Sequence, residues 1–225
     1  MRNFFLILLC FVSTLVLSQE YHFDYFVKEK SVHLKSVKSE WFNDWFYNST
    51  SDTKIYLENY NNKTIAILYS EDKKLKHIFK VNKLKEQINF VYKHSRRLNE
   101  SDIPTTPYKG KEVFEIKKLD SLKYSFAVFK DSKRKKKEID AVINLDIGEF
   151  EYIDFRIDHI ITREAEKHLK NLLNQNQKYI VRSVDYKYNS KYNRINSFES
   201  IQKVNLTVEV PEILKEPNHW SDFED

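Results

Sequence analysis

Two glycines in 225 residues set the first limit on this fold. Gly110 and Gly148 stand far apart, whereas a loop that cradles phosphate needs glycines clustered at fixed spacing. Rossmann and P-loop architectures are therefore closed to this chain. The same sequence carries 14 Tyr and 16 Phe. Aromatic side chains suit a pleated, half-buried surface, so the balance favours strands joined by polar turns.

The periodicity agrees. Tyr21, Phe23 and Tyr25 alternate with His22 and Asp24, as a half-buried strand over 21–27 requires. Val32, Leu34 and Val37 continue as a second strand. In 39–47, Trp41/Trp45 and Phe42/Phe46 lie four apart, which would also suit a helical turn; the strand-like flanks favour a strand. Apolar runs recur at 55–57, 64–69, 75–81, 88–92, 113–116, 123–130, 139–145, 150–157, 179–188 and 201–210. Short strands at roughly 8–12-residue spacing are the signature of an antiparallel sheet, sandwich or barrel. The stretch 96–111, with Pro104, Pro107 and Gly110, reads as a loop. Only 162–176 has a helical period. Thr162 is placed to cap it, Glu164 and Glu166 sit at its positive end, and Ala165, Leu169 and Leu172 or Leu173 form one stripe. The expected fold is mainly β: an antiparallel curved sheet, half-barrel or sandwich, with one amphipathic helix near 162–176.

The start of the chain reads as an address. Met1-Arg-Asn precedes an unbroken apolar run from Phe4 to Phe11, and a small residue follows at Ser18. This is the pattern of a signal peptide over 1–18, shorter than the ~20 apolar residues of a membrane-spanning helix. Leu9 before Cys10 argues against a lipoprotein, where that position is small. Cleavage after Ser18 removes the only Cys and the only Met, which excludes a disulfide scaffold and a thiolate nucleophile. The expected organisation is a signal peptide (1–18), one β-rich domain (19–211) and an acidic tail (212–225). The expected location is the periplasm or the medium, with no transmembrane span in the mature chain.

Leu17-Ser-Gln-Glu20, the aromatic strand after it, the segment from Asn48 to Leu57 and the segment from Leu75 to Val81 carry a resemblance. In leader style and in its Lys/Asn/Ile/Tyr-rich meander, the first half resembles uncharacterised exported β-rich proteins of Flavobacteria and related Bacteroidota. The resemblance implies a periplasmic or secreted setting. It brings no catalytic motif and transfers no site residue.

Four constellations carry possible chemistry. Trp41, Phe42, Trp45, Phe46 and Tyr47 could line a ligand pocket or a carbohydrate platform, or be core. Asp154, Asp158, His159, Glu164 and His168 combine carboxylate and imidazole, the ligands of zinc-like ions, and Glu164 and His168 would share one helix face. No HExxH motif accompanies them, and an i,i+4 pair on a solvated face gives the same pattern. Lys133, Arg134, Lys135, Lys136 and Lys137 could touch an anionic surface, or form a hairpin tip whose charge deters sheet pairing. Lys93, His94, Arg96 and Arg97 beside Phe90 and Tyr92 mimic a nucleic-acid surface, but export leaves no nucleic acid to meet. No Gly-x-Ser-x-Gly elbow is present, and Glu149 and Glu151 would share a strand face without defining a glycosidase. A net charge of +5 is mild and well mixed. No cofactor is expected. The reading is an exported, non-enzymatic module that binds a ligand or partner, with an apolar cavity where the sheet closes over the helix. The alternatives are a metal-dependent hydrolase on 154–168 and a structural surface protein.

Overall fold

The computed structural model describes residues 18–34, 39–60, 63–70, 72–84, 87–98, 110–188 and 192–216. Residues 1–17 of the leader, most of the expected loop over 96–111, and the end of the tail with Trp220 and Phe223 lie outside them. The described strands are β1 (Ser18–His33), β2 (Ser39–Tyr47), β3 (Lys54–Tyr60), β4 (Lys63–Ser70), β5 (Leu75–Leu84), β6 (Gln87–Arg97), β7 (Val113–Asp120), β8 (Lys123–Phe129), β9 (Lys137–Ile147), β10 (Tyr179–Tyr188) and β11 (Tyr192–Pro211). One helix, α1 (Thr162–Leu172), precedes β10. The strands form one open antiparallel sheet in the order β6-β5-β4-β3-β2-β1-β11-β10-β9-β8-β7. Consecutive strands β6 and β7 are its two edges, so the sheet does not close. Among the described residues the fold is mainly β with a single helix, as the sequence predicts.

Three local expectations need correction. First, β1 runs unbroken through 18–33 instead of forming two strands. Its buried positions continue through Val27, Glu29 and Ser31, because the Glu29 carboxylate finds hydrogen bonds on the buried face. Second, 150–157 is not a strand. Phe150 and Tyr152, then Phe155 and Ile157, are buried with a phase slip across 153–154, and the segment makes only an isolated bridge, Tyr152 to Ile180. Arg156 takes a left-handed φ of 55°. The Phe155 N–H donates to the Glu166 carboxylate at 2.7 Å and the Arg156 N–H to Asp154 at 2.8 Å. These donors are spent on side chains, so no ladder forms. Third, α1 ends at Leu172, and Leu173 is extended (φ −82°, ψ 158°). Thr162 is the first helical residue instead of the cap; its buried hydroxyl donates back to the Ile157 carbonyl at 3.0 Å. The buried stripe is Ala165, Leu169 and Leu173, while Leu172 is exposed.

The chain divides into two compact units: Met1–Tyr25, Phe46–Leu98 and Lys203–Asp225 in the first, Phe26–Trp45 and Asn99–Gln202 in the second. In the first unit, register fixes one row as Ile55, Leu68, His77 and Ser95, and the next as Leu57, Ala66, Phe79 and Tyr92. The Ser95 N–H donates to the Lys215 carbonyl at 2.8 Å. Lys215 follows the end of β11 by four residues, a reach of about 14 Å at most. In a flat sheet β11 and β6 would stand six spacings apart, about 29 Å. The sheet of this unit is therefore tightly rolled. Tyr21 on β1 agrees: its hydroxyl donates to Ser70 Oγ at 3.4 Å, and its ring lies 6.1 Å from that of His77 on β5.

In the second unit, one core joins β8, β9 and β10 to the 150–161 segment and α1. It contains Phe126, Ile143, Phe155, Leu169 and Val181. The Phe126 and Phe155 rings meet tilted at 57°, their centroids 5.2 Å apart. The apolar stripe of α1 is part of this core.

Candidate functional site

The roll of the first unit leaves an open hollow of about 250 Å³. Leu75, Val210 and Leu214 form its apolar wall; Gln19, Lys73 and Glu212 bring polar groups; His77 lines it as well. The geometry follows from the strands. Leu75 and His77 are alternate residues on β5, Val210 is near the end of β11, and Leu214 belongs to the chain that returns towards Ser95.

His77 is 1% exposed. Its Nδ1 lies 2.7 Å from Ser95 Oγ. Ser95 Oγ is 2.7 Å from the Tyr92 hydroxyl, which accepts the Lys215 N–H at 3.2 Å. Its Nε2 is buried and makes no hydrogen bond among the described residues. Burial, reinforced by the Lys73 charge and opposed by Asp72, pushes the imidazole down to about 4. The ring is therefore neutral near pH 7. Lys73 Nζ hydrogen-bonds Gln19 Oε1, and Ser70 Oγ donates to Asp72 at 2.8 Å, holding that carboxyl below its ordinary range. Ser95 is buried and shares its hydroxyl with Tyr92.

A second buried polar cluster lies wholly in the second unit. Arg156 Nη1 meets Glu29 Oε2 at 3.4 Å, and Nη2 donates to the Val181 carbonyl at 3.0 Å. Ser31 Oγ is 2.9 Å from both Glu29 Oε1 and Asn196 Oδ1. Asn196 Nδ2 donates to the Arg156 carbonyl at 2.8 Å, and the guanidinium lies 4.3 Å over the Phe198 ring. Arg156 Nε is buried without a hydrogen-bond partner among the described residues; the other groups satisfy one another and fasten 150–161 to β1, β10 and β11. The role is structural.

The aromatic residues of β2 do not act as a set. Trp45 is buried against Tyr152 at 6.3 Å and Phe198 at 6.0 Å. Phe46 packs edge-on to Phe90 at 5.8 Å. Buried Tyr47 donates to Asp52, and burial and that carboxylate raise its phenol well above the ordinary value. Trp41 lies under Arg194 and exposed Phe42 under Lys28, each at 4.6 Å.

The residues over 154–168 do not converge on a point. Asp154 accepts from Tyr152 and Arg156. Asp158 is exposed. His159 faces Glu112 at 3.6 Å. Glu164 is exposed, and so is His168, which lies edge-on to Phe114 at 5.8 Å. Among the described residues no group of three or more His, Cys, Asp or Glu could hold a metal ion.

In the basic turn, Arg134 pairs with Glu115, Lys136 with Glu138 and Lys137 with Asp140, at 3.0, 3.1 and 3.0 Å, leaving Lys133 and Lys135 exposed. On β6, His94 is buried while Arg97 is exposed, so these cations do not share one surface. Glu149 and Glu151 lie outside any strand. Lys178 donates to the Glu149 carbonyl at 3.0 Å, and Glu151 pairs with Lys170.

Sequence reasoning missed His77. The signal was a titratable residue at a core-facing place in Leu75-Lys-His77-Ile-Phe79. Glu29 carries the same signal between Val27 and Ser31.

The class that fold and geometry define is a mainly β protein on one open antiparallel sheet. Comparison with family models, with curated proteins and with solved structures finds no match. Among the described residues no helix is long and apolar enough to cross a membrane.

Proposed function

We propose that this chain is an exported cell-envelope protein that binds a small ligand in the hollow of the first unit and leaves it chemically unchanged. One observation carries the reading: the first unit keeps an open hollow with an apolar wall of Leu75, Val210 and Leu214 beside the polar groups of Gln19 and Lys73. The volume, just below the ~300–1,000 Å³ of pockets for drug-sized ligands, suits a small molecule. Export rests on the leader pattern over 1–18.

Expression of the full chain with its leader in a Gram-negative host, followed by fractionation and intact-mass measurement, tests export. The expected product starts at Gln19 in the periplasm or medium; an unprocessed chain in the cytosol overturns this part. A saturation-transfer NMR titration with indole, which fits a hollow of about 250 Å³, tests binding. A saturable response, weakened at least about fivefold by Leu214→Asp, is expected; a linear, non-saturating response overturns the binding reading.

A further inference from the structure

We infer that the outer edge of β7 pairs with β7 of a second copy, antiparallel and centred on Ile116. The inference stands apart from the hollow and from the binding reading above. β7 is an end strand of the sheet. On its inner side it meets β8, from Val113 opposite Phe129 to Lys118 opposite Tyr124. Among the described residues, no backbone hydrogen bond reaches 113–120 except from β8. In an antiparallel ladder every second residue turns its N–H and C=O away from a given neighbour. On an edge those groups are a ready template for another strand. The β6 edge is not left this way: the Ser95 N–H there donates to the Lys215 carbonyl at 2.8 Å.

The occupant follows from symmetry and charge. Two equal edges close on each other about a two-fold axis, which sets one residue against its own copy. The regular run 113–118 ends at a bulge before Asp120. An axis with two strand residues on either side therefore falls at Glu115 or at Ile116. At Glu115 it would put two carboxylates face to face, which is destabilising. At Ile116 it puts Glu115 opposite the partner's Lys117, twice over by symmetry, and Phe114 opposite the partner's Lys118. Glu115 lies 2.8 Å from Lys117 and 3.0 Å from Arg134 of its own chain, and the Lys117 side chain is 65% exposed. That exposed lysine can turn to the partner's Glu115 while Arg134 keeps its own. Lysines on an edge ordinarily deter pairing. In this register each Lys117 meets an opposite charge, so the deterrent falls on unlike strands.

The test is sedimentation equilibrium of the purified chain over a range of concentrations at low salt. The contact is small, so the dimer should be weak, with a Kd between about 10 μM and 1 mM. Wild type should pass from monomer to dimer and stop there, because the two edges close on each other. Lys117→Glu and Glu115→Lys each set like charges across the axis, and each should weaken the dimer at least about fivefold. The double variant Glu115→Lys/Lys117→Glu exchanges the charges and should restore it. Mixing the two single variants should give a heterodimer, since one strand is then positive and the other negative at both 115 and 117. A wild type that stays monomeric up to about 1 mM leaves β7 to an unlike partner and overturns the inference. A dimer that survives both single reversals lies on another surface and overturns it too.

Discussion

Replacing Glu29 by Gln tests whether the fastening of 150–161 depends on charge. The Glu29 and Arg156 side chains are 5% and 7% exposed, with Nη1 and Oε2 3.4 Å apart. Gln keeps the shape and one acceptor for Ser31 but removes the negative charge. The guanidinium would stay buried, with the Val181 carbonyl and the Phe198 face as its remaining partners. Taking one member from a buried pair costs about 3–5 kcal/mol, because the other charge is stranded. The retained hydrogen bond and the cation–π contact, worth about 0.5–2 kcal/mol, place Glu29→Gln near the lower end, about 3 kcal/mol. At about 2–4 °C per kcal/mol for a chain of this size, Tm should fall by about 6–12 °C. Arg156→Met in the Glu29→Gln background removes the stranded charge, so the double variant should recover about 1–2 kcal/mol relative to Glu29→Gln alone. Thermal and urea unfolding of wild type, both single variants and the double variant complete the cycle. A Glu29→Gln loss under about 0.5 kcal/mol, the range of ordinary surface substitutions, or a double variant that loses the sum of the singles, would refute the reasoning.

Three further outcomes are expected. His77 holds a folded-state value of about 4 against an ordinary 6.5, so the unfolded chain takes up the proton first. Its contribution to stability is complete above about pH 6.5 and falls as the pH drops towards 4, by up to about 3 kcal/mol at ~1.4 kcal/mol per unit; His77→Gln, compared with wild type in melts across that window, should flatten the profile. Leu169→Ala empties a fully buried position on α1 and should cost about 2–5 kcal/mol in urea unfolding. In Gly148→Ala the new Cβ would lie 2.5 Å from Ile180 Cδ1 and 2.9 Å from its Cγ1; the Ile180 side chain must shift, for a loss of about 1–3 kcal/mol, and Ile180→Val in the same chain, which removes Cδ1 but keeps Cγ1, should relieve part of it.

Strand positions were legible wherever inward places are apolar. β10 matches its expected bounds, and β4 shows its buried run over 65–68. The text failed where polar groups occupy inward places. β11 reads as 201–210, yet begins at Tyr192; its first half hides because inward Asn196, 2% exposed, hydrogen-bonds Ser31 and the Arg156 carbonyl. The segment 150–157 failed in the other direction. Burial of Phe150, Tyr152, Phe155 and Ile157 slips phase after Tyr152, and a loop packed over a sheet can bury such apolar residues without forming a ladder. The site had the same blind spot. Trp41 to Tyr47 is conspicuous as text, but neighbouring side chains on a strand point to opposite faces and found separate partners. His77 draws no attention, because its meaning depends on Ser95 on β6 and on Leu214 and Lys215, more than a hundred residues further on. Periodicity carries no information about such partners.

The strand order has a consequence for how the chain reaches this state. From β2 to β6 and from β7 to β11, every strand lies beside its predecessor in sequence. Each run can zip as successive hairpins, the local step that forms within microseconds. The seam of β1 with β11 is different, since it joins residues 18–33 to 192–211. Closing a loop of about 160 residues carries an entropic cost of about 4–5 kcal/mol, which is lowered once the intervening hairpins have shortened the path. The two meanders should therefore form first and the central seam last. On this order, the longest described strands pair only after the transition state, and substitutions in β1 should change the unfolding rate more than the folding rate.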